Sequence, residues 1–119
     1  LVQRIKNTIN EMLEDDGLRS HKVSVYLADK LNYSYTYLSN LFSETTYTSI
    51  ENFVILRKVD LAKDLIANTD LTLTEIAYRL NYSSVAHLSG QFKKITGMTP
   101  TKFLNILEKR KDNRIQQTI

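Results

Sequence analysis

The sequence predicts an all-α chain built from two copies of one helix-turn-helix unit. Three observations lead there. A block of about thirty residues occurs twice, and the segments around it carry apolar residues at helical spacing. Glycine and proline number only three and one in 119 residues, too few for the frequent tight turns of a β-sandwich.

The repeat carries the most information. Residues 27 to 34 (LADKLNYS) match 76 to 83 (IAYRLNYS) at an offset of 49, and after one extra residue LSNLF (38 to 42) matches LSGQF (88 to 92) at an offset of 50. The identities are Ala28/Ala77, Leu31/Leu80, Asn32/Asn81, Tyr33/Tyr82, Ser34/Ser83, Leu38/Leu88, Ser39/Ser89, Phe42/Phe92, Thr46/Thr96 and Phe53/Phe103. Helical periodicity alone would repeat the apolar positions, but not the polar Asn-Tyr-Ser.

In chain order, Ile5, Ile9, Met12 and Leu13 form the stripe of a leading helix that Gly17 ends. Leu27, Ala28 and Leu31 give the next helix one apolar face. Asn32 stops it, since asparagine tolerates the left-handed conformation best after glycine. Leu38, Leu41 and Phe42 form the inward stripe of a third helix. Residues 50 to about 67 contain no breaker and carry Phe53, Val54, Leu61, Leu65 and Ile66, which predicts a long central helix that would fix the spacing of the two units.

In the second copy Thr72 and Glu75 have capping-box spacing, Ile76, Ala77 and Leu80 form the apolar face, and Asn81 ends the helix. Tyr82 packs into the corner, and Ser83 or Ser84 caps the helix that carries Val85, Leu88 and Phe92. Gly97 ends that helix and Pro100 opens another. Ala28 and Ala77 suit helices that cross closely. The expected organisation is therefore 1–49, a leading helix and first unit; 50–68, the central helix; 69–107, the second unit; and 108–119, a polar tail that frays.

Composition bounds the function. A hydrophobic content of 42% with 24% charged residues fits a folded chain. Without cysteine there are no disulfides or thiolate metal sites, and His21 and His87 have no carboxylate at ligand spacing, so no metal or cofactor is expected. No apolar run approaches the roughly 18 residues of a membrane span. The net charge of +3 is compatible with a polyanionic partner. Its distribution is uneven: Glu11, Glu14, Asp15 and Asp16 cluster early, and Lys93, Lys94, Lys102, Lys109, Arg110, Lys111 and Arg114 cluster late.

The stretch LTLTEIAYRLNYSSVAHLSGQFKKITGMTPTKF (71 to 103) resembles the signature of AraC/XylS-type bacterial transcription regulators. The shared elements are Ile-Ala, a turn, Ser, Phe-Lys-Lys, Gly and Thr-Pro before an aromatic, in order and at the family's spacing. The resemblance implies about seven helices. They form two homeodomain-like helix-turn-helix subdomains joined by the central helix. Recognition helices at about 35–46 and 84–96 would enter adjacent major-groove segments of promoter or operator DNA. It also implies a cytoplasmic, nucleoid-associated bacterial protein, with effector binding or dimerisation on a segment outside this chain. The opening Leu1 agrees with that, and RNA polymerase is a further expected partner. Two departures stand out: Asn32 and Asn81 replace the usual turn glycine, and Gly90 replaces a frequent arginine.

On the first recognition helix the apolar stripe leaves Thr36, Ser39, Asn40 and Ser43 outward. Asn40 suits a bidentate contact to adenine, and Thr36 offers a methyl to thymine. On the second, Ala86, Ser89, Gly90 and Lys93 are outward. The expected base contacts are Thr36, Ser39, Asn40, Ala86, Ser89 and Gly90, and the expected phosphate contacts are Ser34, Tyr35, Ser43, Ser84, Lys93 and Lys94. Tyr35 and Tyr37 could each reach phosphate or pack against the scaffold, with packing expected of Tyr37, and His87 is expected to be a hydrogen-bonded structural histidine. Gly90 offers no donor, so the second unit is expected to hold the backbone and the first to read bases. The rival class is a helical protein-interaction module without DNA binding. With no phosphate loop, no cysteine and no Ser/His/carboxylate set, an enzyme is not expected.

Overall fold

The structure, a computed structural model, describes residues 1–14 and 22–117, with side chains to residue 111. Among these are seven helices: α1 (Val2–Glu14), α2 (Val23–Leu31), α3 (Tyr35–Thr46), α4 (Ile50–Asn68), α5 (Leu73–Arg79), α6 (Val85–Thr96) and α7 (Pro100–Gln117). The expected stop at Gly17, together with His21, lies outside the described residues, as does the side chain of Arg114. The chain divides into two compact units, 1–58 and 59–119, so that α4 contributes its first half to one and its second half to the other.

In the first unit α1, α2 and α3 contact one another around Ile5, Ile9, Met12, Leu13, Leu27, Leu31, Leu38 and Phe42, with Ile50 and Val54 added from α4. All are buried, and the apolar stripe expected of α1 is the one that packs. Arg57 Nε donates to Asn10 Oδ1 at 2.9 Å and ties α4 to α1. In the second unit Val59, Ala62 and Ile66 of α4 pack with Ile76, Ala77, Leu80, Tyr82, Leu88 and Phe92. Burial pushes the Tyr82 phenol up to about 12. Val59 and Ala62 were not among the residues expected to pack, although both are fully buried. Ala77 is buried as its small size suggested, whereas Ala28 is only half-buried.

The two copies share their closing chemistry. Thr46 Oγ1 lies 2.7 Å from the Phe42 carbonyl oxygen and 3.2 Å from that of Thr48, and Thr96 Oγ1 lies 2.7 Å from the Phe92 carbonyl oxygen and 3.0 Å from that of Met98. Each hydroxyl also faces the next backbone N–H, of Thr48 or Met98, at 3.4 and 3.2 Å. One threonine thus satisfies the end of α3 or α6 and the loop after it. Ser49 and Thr99 then cap α4 and α7 by accepting from Asn52 N–H and Lys102 N–H. Phe42 meets Phe53 at 5.7 Å between ring centroids, and Phe92 meets Phe103 at 5.5 Å. The polar stretch from residue 108 continues the helix of α7 as far as Gln117.

One end differs. Gly97 closes α6 at φ 84, but Tyr47 occupies the matching position after α3 at φ 60, with 93% of its surface exposed. A side chain in the left-handed region costs roughly 1–2 kcal/mol, and this ring recovers little by burial. We therefore expect Tyr47→Gly to raise the free energy of unfolding by about 1 kcal/mol, and Gly97→Ala to lower it by a similar amount. Urea denaturation of both variants against the parent checks this; equal midpoints would contradict it.

Candidate nucleic-acid interface

Each candidate reading helix is positioned by a left-handed asparagine. Asn32 sits at φ 59 and Asn81 at φ 60. In the first copy Asn32 N–H donates to the Ala28 carbonyl at 3.0 Å, the single-bond form of helix ending. In the second, Tyr82 N–H donates to Ala77 and Asn81 N–H to Tyr78, the two-bond Schellman pattern. The extra residue of the second copy lies in this turn: Ser34 caps α3 two residues after Asn32, while Ser84 caps α6 three residues after Asn81. Thr72 and Glu75 form the capping box expected at the start of α5.

That one residue redirects the tyrosine. Tyr82 is 7% exposed and sits in the core, whereas Tyr33 is 44% exposed. Tyr33 stacks on Tyr37, with centroids 5.2 Å apart and planes at 23°. Tyr82 instead meets the edge of His87 at 5.1 Å. His87 Nδ1 is 3.2 Å from Ser83 Oγ, so the histidine is hydrogen-bonded within its own turn, as expected.

The outward faces follow the expected stripes. On α3, Leu38 and Phe42 are buried, Thr36, Asn40 and Ser43 are exposed, and Ser39 is half-buried. On α6, Leu88 and Phe92 are buried, Ala86, Gly90, Lys93 and Lys94 are exposed, and Ser89 is half-buried. A Cβ added at Gly90 would meet nothing within 4 Å. Ser34 Oγ accepts from Tyr37 N–H at 3.2 Å, and Ser84 Oγ accepts from His87 N–H at 3.0 Å. Both hydroxyls use their oxygen as a cap and keep their hydrogen for another acceptor.

The tyrosines depart from expectation. Tyr35 was expected to face phosphate, but its hydroxyl donates to Glu51 Oε1 at 2.5 Å on α4. A phosphate at that oxygen would have to approach a carboxylate, which Coulomb repulsion opposes. Tyr37, expected to pack, is 50% exposed. Neither placement was legible in residue type; both follow from which neighbour lies sixteen or four positions away.

The Tyr35–Glu51 bond has a pH signature. Desolvation by burial, then the bond to Glu51, raises the Tyr35 pKa, and the bond from Tyr35 lowers that of Glu51 from its ordinary 4.5. A carboxylate whose folded pKa is depressed adds stability above its unfolded pKa, and that stability is lost as pH falls through the folded value. Tyr35→Phe should therefore destabilise the first unit at pH 7. The deficit should shrink as pH is lowered through and below 4.5. Thermal melts from pH 7 to pH 3 test it, and a deficit independent of pH would assign the loss to packing instead.

A family model described as a helix-turn-helix domain matches residues 27–106 of the chain. An uncharacterized HTH-type transcriptional regulator of Bacillus subtilis is 31% identical over 77 residues, which are 65% of this chain and 10% of that protein. The chain spans between 10% and 28% of the lengths of three such curated relatives. The C-terminal domain of AraT, a response regulator from Geobacillus stearothermophilus, superposes with a TM-score of 0.76 at 26% identity, covering 88% of this chain and 84% of that one. The DNA-binding domain of AdpA, solved in complex with a target DNA, shares the fold with a TM-score of 0.75 at 19% identity, covering 92% and 94%.

Proposed function

The chain belongs to the AraC-type family of helix-turn-helix domains, and from that membership we propose that it is the sequence-specific DNA-binding part of a bacterial transcription regulator. The observation that carries the reading is the split within each copy. The buried Leu31/Leu80, Leu38/Leu88 and Phe42/Phe92 and the bonded Thr46/Thr96 are duplicated, while the exposed pairs Thr36/Ala86, Asn40/Gly90 and Ser43/Lys93 differ. Two equal scaffolds with unequal outward faces suit a protein that presents two helices to successive, non-identical stretches of major groove.

In this reading α3 does the base reading. Asn40 makes paired hydrogen bonds to adenine, Thr36 places its methyl against thymine, and Ser39 adds a hydroxyl at the edge. Ser34 and Ser43 face phosphate. On α6, Ala86, Ser89 and Gly90 offer little to base edges, and Ser84, Lys93 and Lys94 neutralise or bond the backbone. Tyr35 acts as a positioning residue, holding the start of α3 against Glu51 on α4. The work is equilibrium binding, with no bond made or broken. Cytoplasmic action, effector control through a segment outside this chain and contact with RNA polymerase complete the proposal.

Anisotropy titrations against a duplex selected from a random pool and against an unselected duplex test it. Asn40→Ala should lose roughly 1–3 kcal/mol on the selected site and little on the other. Lys93→Ala should weaken both alike and reduce the slope of log K against log salt by about one. Gly90→Ala should leave DNA affinity unchanged while stabilising α6 by about 0.5–1 kcal/mol, since a Cβ there meets open space. If the parent binds neither duplex at ~50 mM salt, DNA binding is refuted and the protein-interaction reading replaces it.

A further inference from the structure

We propose that the stacked pair Tyr33–Tyr37 is an additional DNA contact of the first unit, in which the Tyr37 hydroxyl donates to a backbone phosphate on one wall of the major groove. This rests on the DNA-binding reading above and assigns a residue that the expected contact set left in the scaffold.

Position on the helix comes first. At about 100° per residue, Tyr37 lies roughly 100° from the buried Leu38 and about 60° from Asn40. It therefore occupies one shoulder of α3, beside the Thr36–Asn40 strip rather than on it. A helix with its side chains is about 10–12 Å across and the major groove about 12 Å wide, so the shoulders of an inserted helix meet the walls, where the phosphates run. A tyrosine on the shoulder reaches further than threonine or asparagine on the strip, and its tip is a hydroxyl.

Exposure comes second. Tyr33 is 44% and Tyr37 50% exposed, yet their rings stack at 5.2 Å. Stacking limits the rotamers of Tyr37 before any ligand arrives, so less side-chain entropy is lost on binding. The second unit provides the internal comparison. There the matching tyrosine is buried and the matching side chain, His87, is held by Ser83. The longer turn of that copy withdraws the pair; the shorter turn of the first presents it. A neutral phenol donor also suits the first unit's face, where Thr36, Ser39, Asn40 and Ser43 carry no charge.

Tyr37→Phe tests the hydroxyl alone, because phenylalanine keeps the stack. The expected result is a three- to tenfold loss of affinity on selected and unselected duplexes alike, with the salt slope unchanged, since a neutral donor releases no counterion. Tyr33→Ala should produce a loss of similar size, and the double variant little more than either, because both act through one hydroxyl. The proposal is overturned if Tyr37→Phe binds within twofold of the parent, or if it loses affinity only on the selected duplex, which would mark a base contact. Parent protein that fails to bind either duplex at ~50 mM salt overturns the DNA reading instead.

Discussion

Everything in each unit depends on one residue holding a left-handed backbone between two helices. Asn32 and Asn81 both sit near φ 60, and the direction of α3 or α6 is set by where the chain leaves that residue. Asparagine tolerates the conformation because its short polar side chain bonds locally and its Cβ conflict is modest. The number of residues that follow before the next cap then decides what the turn does with its tyrosine. Two residues to the cap leave Tyr33 on the surface; three bring Tyr82 into the core. A single inserted residue thus changes the surface beside a reading helix without altering the helix itself.

The duplication also separates what folding requires from what it leaves free. Phe42 and Phe92, Leu38 and Leu88, and Thr46 and Thr96 repeat because each is buried or bonded, and replacing one would open a cavity or orphan a carbonyl. Thr36 against Ala86, or Asn40 against Gly90, faces solvent in the described structure. Nothing in either core selects among residues there, so that divergence is governed by what the surface meets.

Much of the fold was legible because its determinants are local. The Thr72–Glu75 box, the two asparagines, Gly97 and Pro100 each act within four residues of their own position, and each does what its type and spacing indicate. The reversals lie elsewhere. Tyr35 bonds a carboxylate sixteen residues away, which no periodicity reveals. Tyr37 is exposed because its partner Tyr33 is, and that depends on the turn. The left-handed Tyr47 is marked by the repeat itself: the offset of 50 sets it against Gly97, a position where a backbone rule holds whatever the side chain. Val59 and Ala62 were missed because α4 serves two cores, so no single apolar face describes it.

Gly90 has a consequence for how such a domain changes over time. Open space surrounds the position where its Cβ would be, and the helix around it is capped at both ends by Ser84 and Gly97. A Cβ fits there without touching the core, and alanine would strengthen the helix. The exposed face of the second unit therefore holds a position where one substitution adds a side chain with folding close to indifferent, which is where the proposed DNA-binding reading leaves most room for change.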